Sequence, residues 1–268
     1  MTKSYKDKIC QHNSLFWDQE ALDQKPWSQP VSQDIIASAK QGEWTIQITK
    51  RPLSRTWLPQ DIKGKDILCL ASAGGQQAPV LAAAGANVTV YDISKKQLEQ
   101  DQYVAKRDDL TLITLQGDMT NLSKIADNTF DYVINPISNL YVPDINPVWC
   151  ECYRVLRNNG VLLASFYNPI LFIFDRDVDL ENQGLIKPKY TIPYSDINSL
   201  GKEHYLEKIK KGEAICFGHS LSDQINGQLE AGFKLTGFYE DEHPSPRFLI
   251  EQYMQTMIAT KAIKLSCS

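Results

Sequence analysis

Short, almost continuously apolar runs alternate with helix-like segments from Asp66 onwards, and this alternation limits the possible folds more than any other feature of the chain. The run Asp66–Ala71 predicts a strand buried on both faces, as in a parallel sheet that helices cover on both sides. The other predicted strands are Ala86–Tyr91, Thr111–Gln116, Phe130–Ile134, Val161–Phe166, Phe233–Tyr239 and Met257–Leu265. Helices separate the first five strands, and the last two can pair antiparallel. We therefore predict an α/β fold with a doubly wound seven-stranded sheet, mostly parallel with an antiparallel last strand.

The same pattern divides a single domain, residues 1–268, into four stretches. They are an N-terminal extension (1–60), a ligand-binding core (62–167), an insertion or cap (168–215) and a C-terminal return of the sheet (216–268). The extension is rich in Trp and Pro, which predicts helices and turns docked on the domain, and its cations Lys50, Arg51 and Arg55 can pair with a carboxylate. An insertion over the carboxyl edge of a parallel sheet commonly shapes the substrate pocket.

Bulk composition argues against several classes of function. The formal net charge is −4, so no general excess of Lys and Arg exists to neutralise a nucleic-acid backbone, and we expect no nucleic-acid partner. The six cysteines, including Cys267, are too scattered for a zinc site or a disulfide framework, and the histidines lack ligand neighbours, so we expect no metal. The chain shows no signal-peptide pattern and no run of about 18 apolar residues, which predicts a cytoplasmic protein without a membrane partner.

The loop Ala71-Ser-Ala-Gly-Gly-Gln-Gln77 lies between the first predicted strand and the first predicted helix. Asp92, 17 residues after Gly75, ends the second strand, where a carboxylate of Rossmann-like sheets accepts hydrogen bonds from ribose hydroxyls. A dinucleotide loop needs glycine at the three positions of G-x-G-x-x-G, but here those positions hold Ala71, Ala73 and Gln76. The spacing therefore favours a nucleoside ligand without a pyrophosphate, such as S-adenosylmethionine, over a nicotinamide cofactor.

Five segments in order resemble the class I S-adenosylmethionine-dependent methyltransferases of the broad type 11 group: KDILCLASAGGQQ, VTVYDIS, LQGDM, FDYVINP and YRVLRNNGVLLAS. The resemblance covers about residues 62–166 and implies a Rossmann-like fold, S-adenosylmethionine as cofactor and methylation as the activity. It also implies that Asp92 holds the ribose with Ile93 beside the adenine, and that Asp118 with Met119 binds the adenine amino edge. The resemblance further implies that the first loop contacts the methionine part, through Ala71, Ser72, Ala73, Gly74, Gly75 and Gln76. It implies that Asn135 lies near the donor methyl.

Two departures from the family pattern concern the methionine end of the cofactor. Cys69 stands where the family usually carries an acidic residue, and Ala71 and Ala73 replace glycines. We expect either that Gln76, Gln77 or a residue of the N-terminal extension replaces the missing acid, or that the cofactor binds weakly.

Methyl transfer from a sulfonium is an in-line displacement with a neutral leaving group, so positioning in a dry pocket supplies most of the acceleration. A general base is needed only for an acceptor that is protonated at neutral pH. His219 and Tyr141 are the candidates, each with a structural role as the alternative. Asn135-Pro136 is similar to the start of the Asn-Pro-Pro-aromatic loop of amine methyltransferases, although the following residues lack the second Pro and the aromatic. An amine acceptor is therefore one alternative.

The predicted function is S-adenosylmethionine-dependent methylation of a small molecule, with the extension and the insertion closing over the acceptor. Two alternatives stay open: a non-catalytic module that binds the cofactor or a partner protein, and a nicotinamide oxidoreductase. The sequence names neither the acceptor, nor its reacting atom, nor the oligomeric state.

Overall fold

The structure is a computed structural model that describes residues 4–175 and 177–266, so that Cys267 lies outside the described residues. Its strands are β1 (Asp66–Leu70), β2 (Asn87–Asp92), β3 (Leu112–Gln116), β4 (Phe130–Asn135), β5 (Leu156–Tyr167), β6 (Tyr194–Ser195), β7 (Phe217–Gly218), β8 (Phe233–Asp241) and β9 (Met257–Lys264). Its α-helices are α1 (Tyr5–Leu22), α2 (Gln33–Lys40), α3 (Gln77–Ala83), α4 (Lys95–Asp108), α5 (Asn146–Val155), α6 (Val178–Asn182), α7 (Asp196–Ser199), α8 (Lys202–Lys210) and α9 (Gly227–Glu230). None of the helices in this part of the chain is long and apolar enough to cross a membrane.

Within the described residues, seven strands form one sheet in the order β3-β2-β1-β4-β5-β9-β8. β1 pairs parallel with β2 and β4, β2 pairs parallel with β3, and β4 pairs parallel with β5. β9 runs antiparallel between β5 and β8. The predicted doubly wound α/β sheet, mostly parallel with an antiparallel last strand, is confirmed. Its strand order reverses between β1 and β4, which is where open α/β sheets leave a crevice for ligands.

The apolar character of the central strands follows from the helices on both faces of the sheet. β1 is fully buried from Ile67 to Leu70. On one face, α5 buries Trp149, whose Nε1 donates to Asp223 O at 3.0 Å. Burial of a large apolar side chain contributes about 1.5–3 kcal/mol, so the buried side of α5 is enough to fix the helix on the sheet.

β5 is longer than the predicted strand Val161–Phe166, because it begins directly after α5. Its register with β4 jumps from the pair Phe130–Leu156 to the pair Tyr132–Val161, so the residues numbered 157–160 bulge out of the ladder. The irregularity lies at the amino end of the strand and leaves the carboxyl end in regular pairing.

The helix α1 lies across the corner between β2 and α4. Ser14 Oγ donates to Ile93 O at 3.0 Å. Asp18 Oδ1 accepts from Ser94 Oγ at 2.6 Å and from Lys96 N at 2.9 Å. The Asp18 carboxylate therefore caps the N-terminus of α4, where the free N–H groups and the helix dipole favour negative charge.

The residues numbered 168–215 contain α6, β6, α7 and α8, and we call them the cap. β6 pairs antiparallel with β7, and Ile9 of α1 packs with Ile215 and Phe217 in a small separate core. The side chain of Asn13 strengthens this contact, because Nδ2 donates to Ile215 O at 3.0 Å and Oδ1 accepts from Ile215 N at 2.8 Å. α1 and the end of the cap are thus fastened to each other.

Candidate active site

A cavity lies at the carboxyl ends of β1, β2 and β4, where the strand order reverses, and we call it the central cavity. Most of the predicted cofactor residues line it, namely Ala71, Ser72, Ala73, Gln76, Asp92, Ile93, Asp118 and Met119. The other three, Gly74, Gly75 and Asn135, do not belong to its wall. The structure therefore brings together residues that lie on three separate βα loops.

The two glycines of the first loop face α4 and not the central cavity. Gly74 N–H donates to Gln97 Oε1 at 2.7 Å, and Gly75 N–H donates to Asp101 Oδ1 at 2.8 Å. A Cβ on Gly74 would lie 2.1 Å from the backbone oxygen of Gln97, so the close approach of loop and helix requires glycine. Gly74 and Gly75 thus hold the loop against α4, and their amides are not free for a pyrophosphate. That they contact the cofactor stays a prediction.

Ala71 and Ala73 adopt the left-handed backbone conformation, with φ of +48° and +63°. For a residue with a Cβ this conformation costs roughly 1–2 kcal/mol, which explains why glycines are usual at these positions. Both alanines nevertheless line the central cavity. The hydrogen bonds from Gly74 and Gly75 to α4 hold the strained loop in place.

Asp92 at the end of β2 lines the central cavity and is 7% exposed. Its Oδ1 accepts from Ser94 N–H at 2.8 Å. Burial raises the pKa of Asp92 to about 7; the Ser94 hydrogen bond opposes this shift, and the neighbouring Asp18 carboxylate adds to it. A ligand that donates hydroxyl hydrogen bonds favours the ionised carboxylate. Asp92 is therefore suited to a ribose.

Next to Asp92, the wall of the central cavity combines apolar and polar side chains. Ile93 and Met119 are apolar, and Asp118 is polar. Gly117 lines the cavity as well, and a Cβ there would lie 2.0 Å from Tyr91 Oη, so the close approach of Tyr91 requires glycine. Apolar walls with a few polar groups are typical of sites for small molecules such as a purine nucleoside.

The N-terminal extension supplies a cation to the central cavity. Lys50 Nζ lies 3.7 Å from the centre of the Trp27 ring, and both residues line the cavity. Burial lowers the pKa of Lys50, and the nearby Arg247 acts in the same direction. Among residues 4–175 and 177–266, no carboxylate forms an ion pair with Lys50. A half-buried cation of this kind favours an anionic ligand group.

Cys69, which stands where the family usually carries an acid, supplies no charge to the site. It is fully buried in β1, and burial raises the pKa of its thiol, so it stays neutral. Gln76 and Gln77 both line the central cavity, but they also fasten the extension: Gln76 Nε2 donates to Pro26 O at 2.9 Å, and Gln77 Oε1 accepts from Gln47 N at 2.9 Å. The two glutamines therefore bring the extension to the methionine end of the site.

Several wall residues were not expected from the sequence as site residues: Asn13, Trp17, Trp27, Gln47, Ile48, Thr49, Tyr167 and Met257. Most of them belong to the extension, which lies outside the alternation of strands and helices. The sequence pattern therefore does not predict where the extension contacts the sheet. The high Trp content of the extension was the available signal, since Trp17 and Trp27 both reach the cavity.

Of the two candidate bases, only Tyr141 lies on the wall of the central cavity, with its ring edge-on to Trp17 at a centroid distance of 5.3 Å. Burial raises the pKa of Tyr141 well above its usual value, so its hydroxyl donates hydrogen bonds and does not act as a base at neutral pH. His219 is buried outside the wall, and its Nε2 lies 3.0 Å from Asn139 O. Burial lowers the pKa of His219, which favours the neutral ring. His219 therefore does not line the central cavity, and its role as a base stays a prediction.

Asn135 at the end of β4 is fully buried behind the wall. Its Nδ2 donates to Leu70 O and to Ser138 Oγ, both at 3.0 Å. Its Oδ1 is buried and has no hydrogen-bond partner in the described part of the chain. Asn135 links the ends of β1 and β4 and is not among the residues that line the cavity. Its position near the donor methyl, and with it an amine acceptor, stays a prediction.

Sequence comparison identifies a family for the core and a relative of nearly the whole chain. Residues 68–164 match the family model of a methyltransferase domain. The chain is 48% identical over 258 residues to the uncharacterized methyltransferase YbaJ of Bacillus subtilis, and the match covers 96% of this chain and 99% of that protein. A match of this extent includes the extension and the cap as well as the core.

Solved structures show the same fold. An S-adenosylmethionine-dependent methyltransferase from Mesorhizobium loti superposes with a TM-score of 0.58 at 19% identity, over 78% of this chain and 94% of that one. A second, from Methanosarcina mazei, gives a TM-score of 0.53 at 15% identity, over 79% and 96% of the two chains. At these identities the likeness establishes the fold alone.

Proposed function

The chain belongs to the class I S-adenosylmethionine-dependent methyltransferases, and from this premise we propose that it methylates a small molecule next to the central cavity. One observation carries the proposal. Asp92, whose carboxylate suits ribose hydroxyls, and Lys50, a cation without a carboxylate partner in the described residues, line the same cavity. The cofactor has hydroxyls in its nucleoside part and a carboxylate in its methionine part.

We propose a place for each part of the cofactor from the residues that line the cavity. Asp92 would accept hydrogen bonds from the ribose, and Ile93 and Met119 would flank the adenine with Asp118 at its amino edge. Lys50 would pair with the carboxylate of the methionine part. This contact is made to the carboxylate, so it adds to the binding of the methionine part. It does not replace the contact to the amino group that the family pattern gives to an acid at position 69, where this chain has Cys69.

When bound, the cofactor supplies a methyl group on a sulfonium and leaves as a neutral thioether. The protein therefore has to orient the acceptor and exclude water more than it has to move protons. Trp17 and Trp27 cover the cavity with apolar surface, and the protonated hydroxyl of Tyr141 is a hydrogen-bond donor on the same wall. We assign no general base.

We propose that the four predicted stretches work as one unit. The core (62–167) binds the cofactor, the N-terminal extension (1–60) closes over it, the cap (168–215) faces the acceptor and the C-terminal return (216–268) completes the sheet. The hydrogen bonds of α1 to Ile93 and to Ile215 support this arrangement, because they attach the extension to both the core and the cap.

The assignment of Lys50 is tested by the substitution Lys50→Met, which keeps the length of the side chain and removes its charge. A charge-assisted contact to a carboxylate contributes about 1.5–3 kcal/mol, so we expect the Kd of S-adenosylhomocysteine to rise about 10- to 100-fold. Isothermal titration calorimetry measures this change, and the Kd of adenosine, which lacks the carboxylate, should stay the same.

The matched control is Lys106→Met, since Lys106 is exposed on α4 and away from the central cavity. It should leave both Kd values unchanged. Wild-type affinity for S-adenosylhomocysteine in the Lys50→Met protein would show that the carboxylate is bound elsewhere.

A further inference from the structure

A second cavity, which we call the cap cavity, lies between the cap, the end of β5 and the turn around Arg247. It encloses about 450 Å³, within the range of roughly 300–1,000 Å³ that small-molecule pockets show. Leu140 and Tyr167 line both this cavity and the central cavity, so the two meet at these side chains. A molecule in the cap cavity therefore reaches the edge of the cofactor site.

Six aromatic rings contribute to the wall of the cap cavity. They belong to Tyr167, Phe172, Phe174, Tyr190, Tyr194 and Phe248. Tyr194 lies between two of the others, with ring centroids 5.6 Å from Phe172 and 5.2 Å from Tyr190. Such a wall offers ring faces and edges to a flat ligand, and aromatic contacts of this kind contribute beyond the area that they bury.

The buried and half-buried charges on the wall of the cap cavity are paired. Lys208 Nζ lies 2.6 Å from Asp196 Oδ2, and Asp175 pairs with Lys189. Arg247 Nη2 donates to Glu251 Oε1 at 2.6 Å. The other acidic and basic residues of the wall are exposed to solvent, namely His204, Glu207, Lys211 and Glu213. A ligand carboxylate would find Lys208 and Arg247 already paired, and an ammonium group would find Asp175 and Asp196 already paired, so the buried part of the wall favours an uncharged ligand.

At the junction of the two cavities, Tyr167 and Arg247 form a polar pair in aromatic surroundings. Arg247 Nη1 donates to Tyr167 Oη at 3.0 Å, and the guanidinium lies 5.1 Å from the centre of the Tyr167 ring. Because Tyr167 Oη accepts this hydrogen bond, its own proton can be donated to another oxygen. A ligand oxygen that gains negative charge at the junction would be stabilised by this donor, which Arg247 polarises.

We propose that the cap cavity binds a neutral, planar aromatic acceptor and that Tyr167, polarised by Arg247, positions its phenolic hydroxyl for O-methylation. This proposal rests on the proposed function of the central cavity. In the reaction, the phenolic oxygen forms a C–O bond to the methyl carbon while the C–S bond of the sulfonium breaks. The phenolic proton passes to water, and the products are the methyl ether and the neutral thioether. Tyr167 is a positioning residue.

The first measurement is the binding of S-adenosylhomocysteine to the full-length protein, which tests the central cavity alone. Naphthol, naphthoic acid, naphthylmethylamine and decahydronaphthol are then titrated into the S-adenosylhomocysteine complex. These probes share one skeleton and differ in charge or planarity. We expect naphthol to bind about tenfold or more tightly than each of the others, and to form a methyl ether, detected by mass spectrometry, when S-adenosylmethionine is present.

Three variants separate the cap cavity from the rest of the protein. Phe172→Leu removes one ring and should weaken naphthol binding about 3- to 10-fold without changing the Kd of S-adenosylhomocysteine. Tyr167→Phe keeps the ring and removes the hydroxyl, so kcat should fall about tenfold or more while KM for naphthol changes less than threefold. Tyr253→Phe is the matched control, because Tyr253 is 72% exposed and lines neither cavity.

The outcomes separate the proposed function from the proposed class of acceptor. If the wild-type protein fails to bind S-adenosylhomocysteine, both the proposed function and the acceptor class are wrong. If S-adenosylhomocysteine binds, the acceptor class alone is overturned by tighter binding of the acid or the amine, by the absence of saturable naphthol binding, or by Phe172→Leu leaving that binding unchanged. An unchanged kcat in Tyr167→Phe would overturn the role of Tyr167.

Discussion

At the residue scale, the buried acids around the first loop decide how the site responds to pH. Asp92 and Asp101 are both buried, and burial raises the pKa of each carboxyl above its ordinary value. Asp101 Oδ1 accepts from Gly75 N–H, but Oδ2 has no hydrogen-bond partner among the described residues. Burial of these two acids therefore does not stabilise the fold. Asp101 holds the loop through Gly75, and Asp92 faces the central cavity.

The pKa of Asp92 leads to a prediction about stability. Its folded value of about 7 lies above its ordinary value of 3.8, so the proton that Asp92 retains stabilises the unliganded protein at low pH. This contribution is lost as the pH rises through about 7. At about 1.36 kcal/mol per pKa unit, Asp92→Asn should make the unliganded protein more stable than the wild type at pH 8, by about 2–4 kcal/mol. Urea unfolding at pH 5 to 8 measures the difference.

The same substitution should have the opposite effect on ligand binding. An amide accepts hydroxyl hydrogen bonds less strongly than a carboxylate, so S-adenosylhomocysteine should bind Asp92→Asn more weakly. In the wild-type protein, the affinity should fall as the pH drops below about 7, because the protonated acid has to ionise. Asp61→Asn, at an exposed position outside the central cavity, serves as the control. A stability profile that Asp92→Asn leaves unchanged would contradict the raised pKa.

At the element scale, the position of α1 depends on few contacts with the sheet edge. α1 has a polar sequence and buries few of its residues, among them Ile9, Asn13 and Ala21. Hydrogen bonds from Asn13, Ser14 and Asp18 to other elements supply the specific attachment. Because α1 places Asn13 and Trp17 on the wall of the central cavity, the attachment of this helix also shapes the cofactor site.

We predict that Asp18→Ala loosens α1. The change removes the acceptor for Ser94 Oγ and Lys96 N at the start of α4, and loss of such a cap costs about 0.5–2 kcal/mol. Hydrogen exchange in Tyr5–Leu22 should accelerate, and the Kd of S-adenosylhomocysteine should rise several-fold, because Trp17 is held less firmly over the cavity.

The control for this prediction is Asp23→Ala at the exposed end of the same helix, where Asp23 contacts the Gln19 side chain. It should leave the ligand affinity as it is. Equal exchange rates for α1 in Asp18→Ala and in the wild type would indicate that the apolar contacts of Ile9 are sufficient to hold the helix.

At the scale of the whole molecule, the central cavity is built from regions far apart in the sequence. Its wall combines the extension, the four βα loops that follow β1, β2, β3 and β4, the end of β5 and the start of β9. A ligand that touches all of these regions should stabilise the folded chain as one unit. This property allows the cofactor assignment to be tested without knowledge of the acceptor.

Thermal unfolding should therefore respond selectively to ligands. S-adenosylmethionine or S-adenosylhomocysteine at about 100 times its Kd adds about 2.7 kcal/mol to the free energy of unfolding, which raises Tm by roughly 5–10 °C. NAD should have no effect, because the amides of Gly74 and Gly75 are already bonded to α4. A shift with NAD alone would refute the cofactor assignment.

The fold, and which strand-end residues line the central cavity, could be predicted from the sequence because both depend on local patterns. Apolar runs and turns indicated the sheet, and Asp92, Ile93, Asp118 and Met119 follow strand ends, which a parallel sheet brings to one edge. The same logic placed Gly74 and Asn135 at this edge, but it could not tell which way they face. Contacts with Gln97 and Leu70 decided that.

The remaining features were decided by the tertiary structure. The sequence of the extension shows no hydrophobic periodicity that predicts its contact with the sheet edge. The positions of Trp17 and Lys50 on the cavity wall therefore follow only from the tertiary structure. The direction in which burial shifts the pKa of Asp92, Tyr141 and His219 likewise depends on neighbours distant in the chain. Local patterns determine which elements form and where strands end, whereas desolvation and close packing depend on how those elements meet.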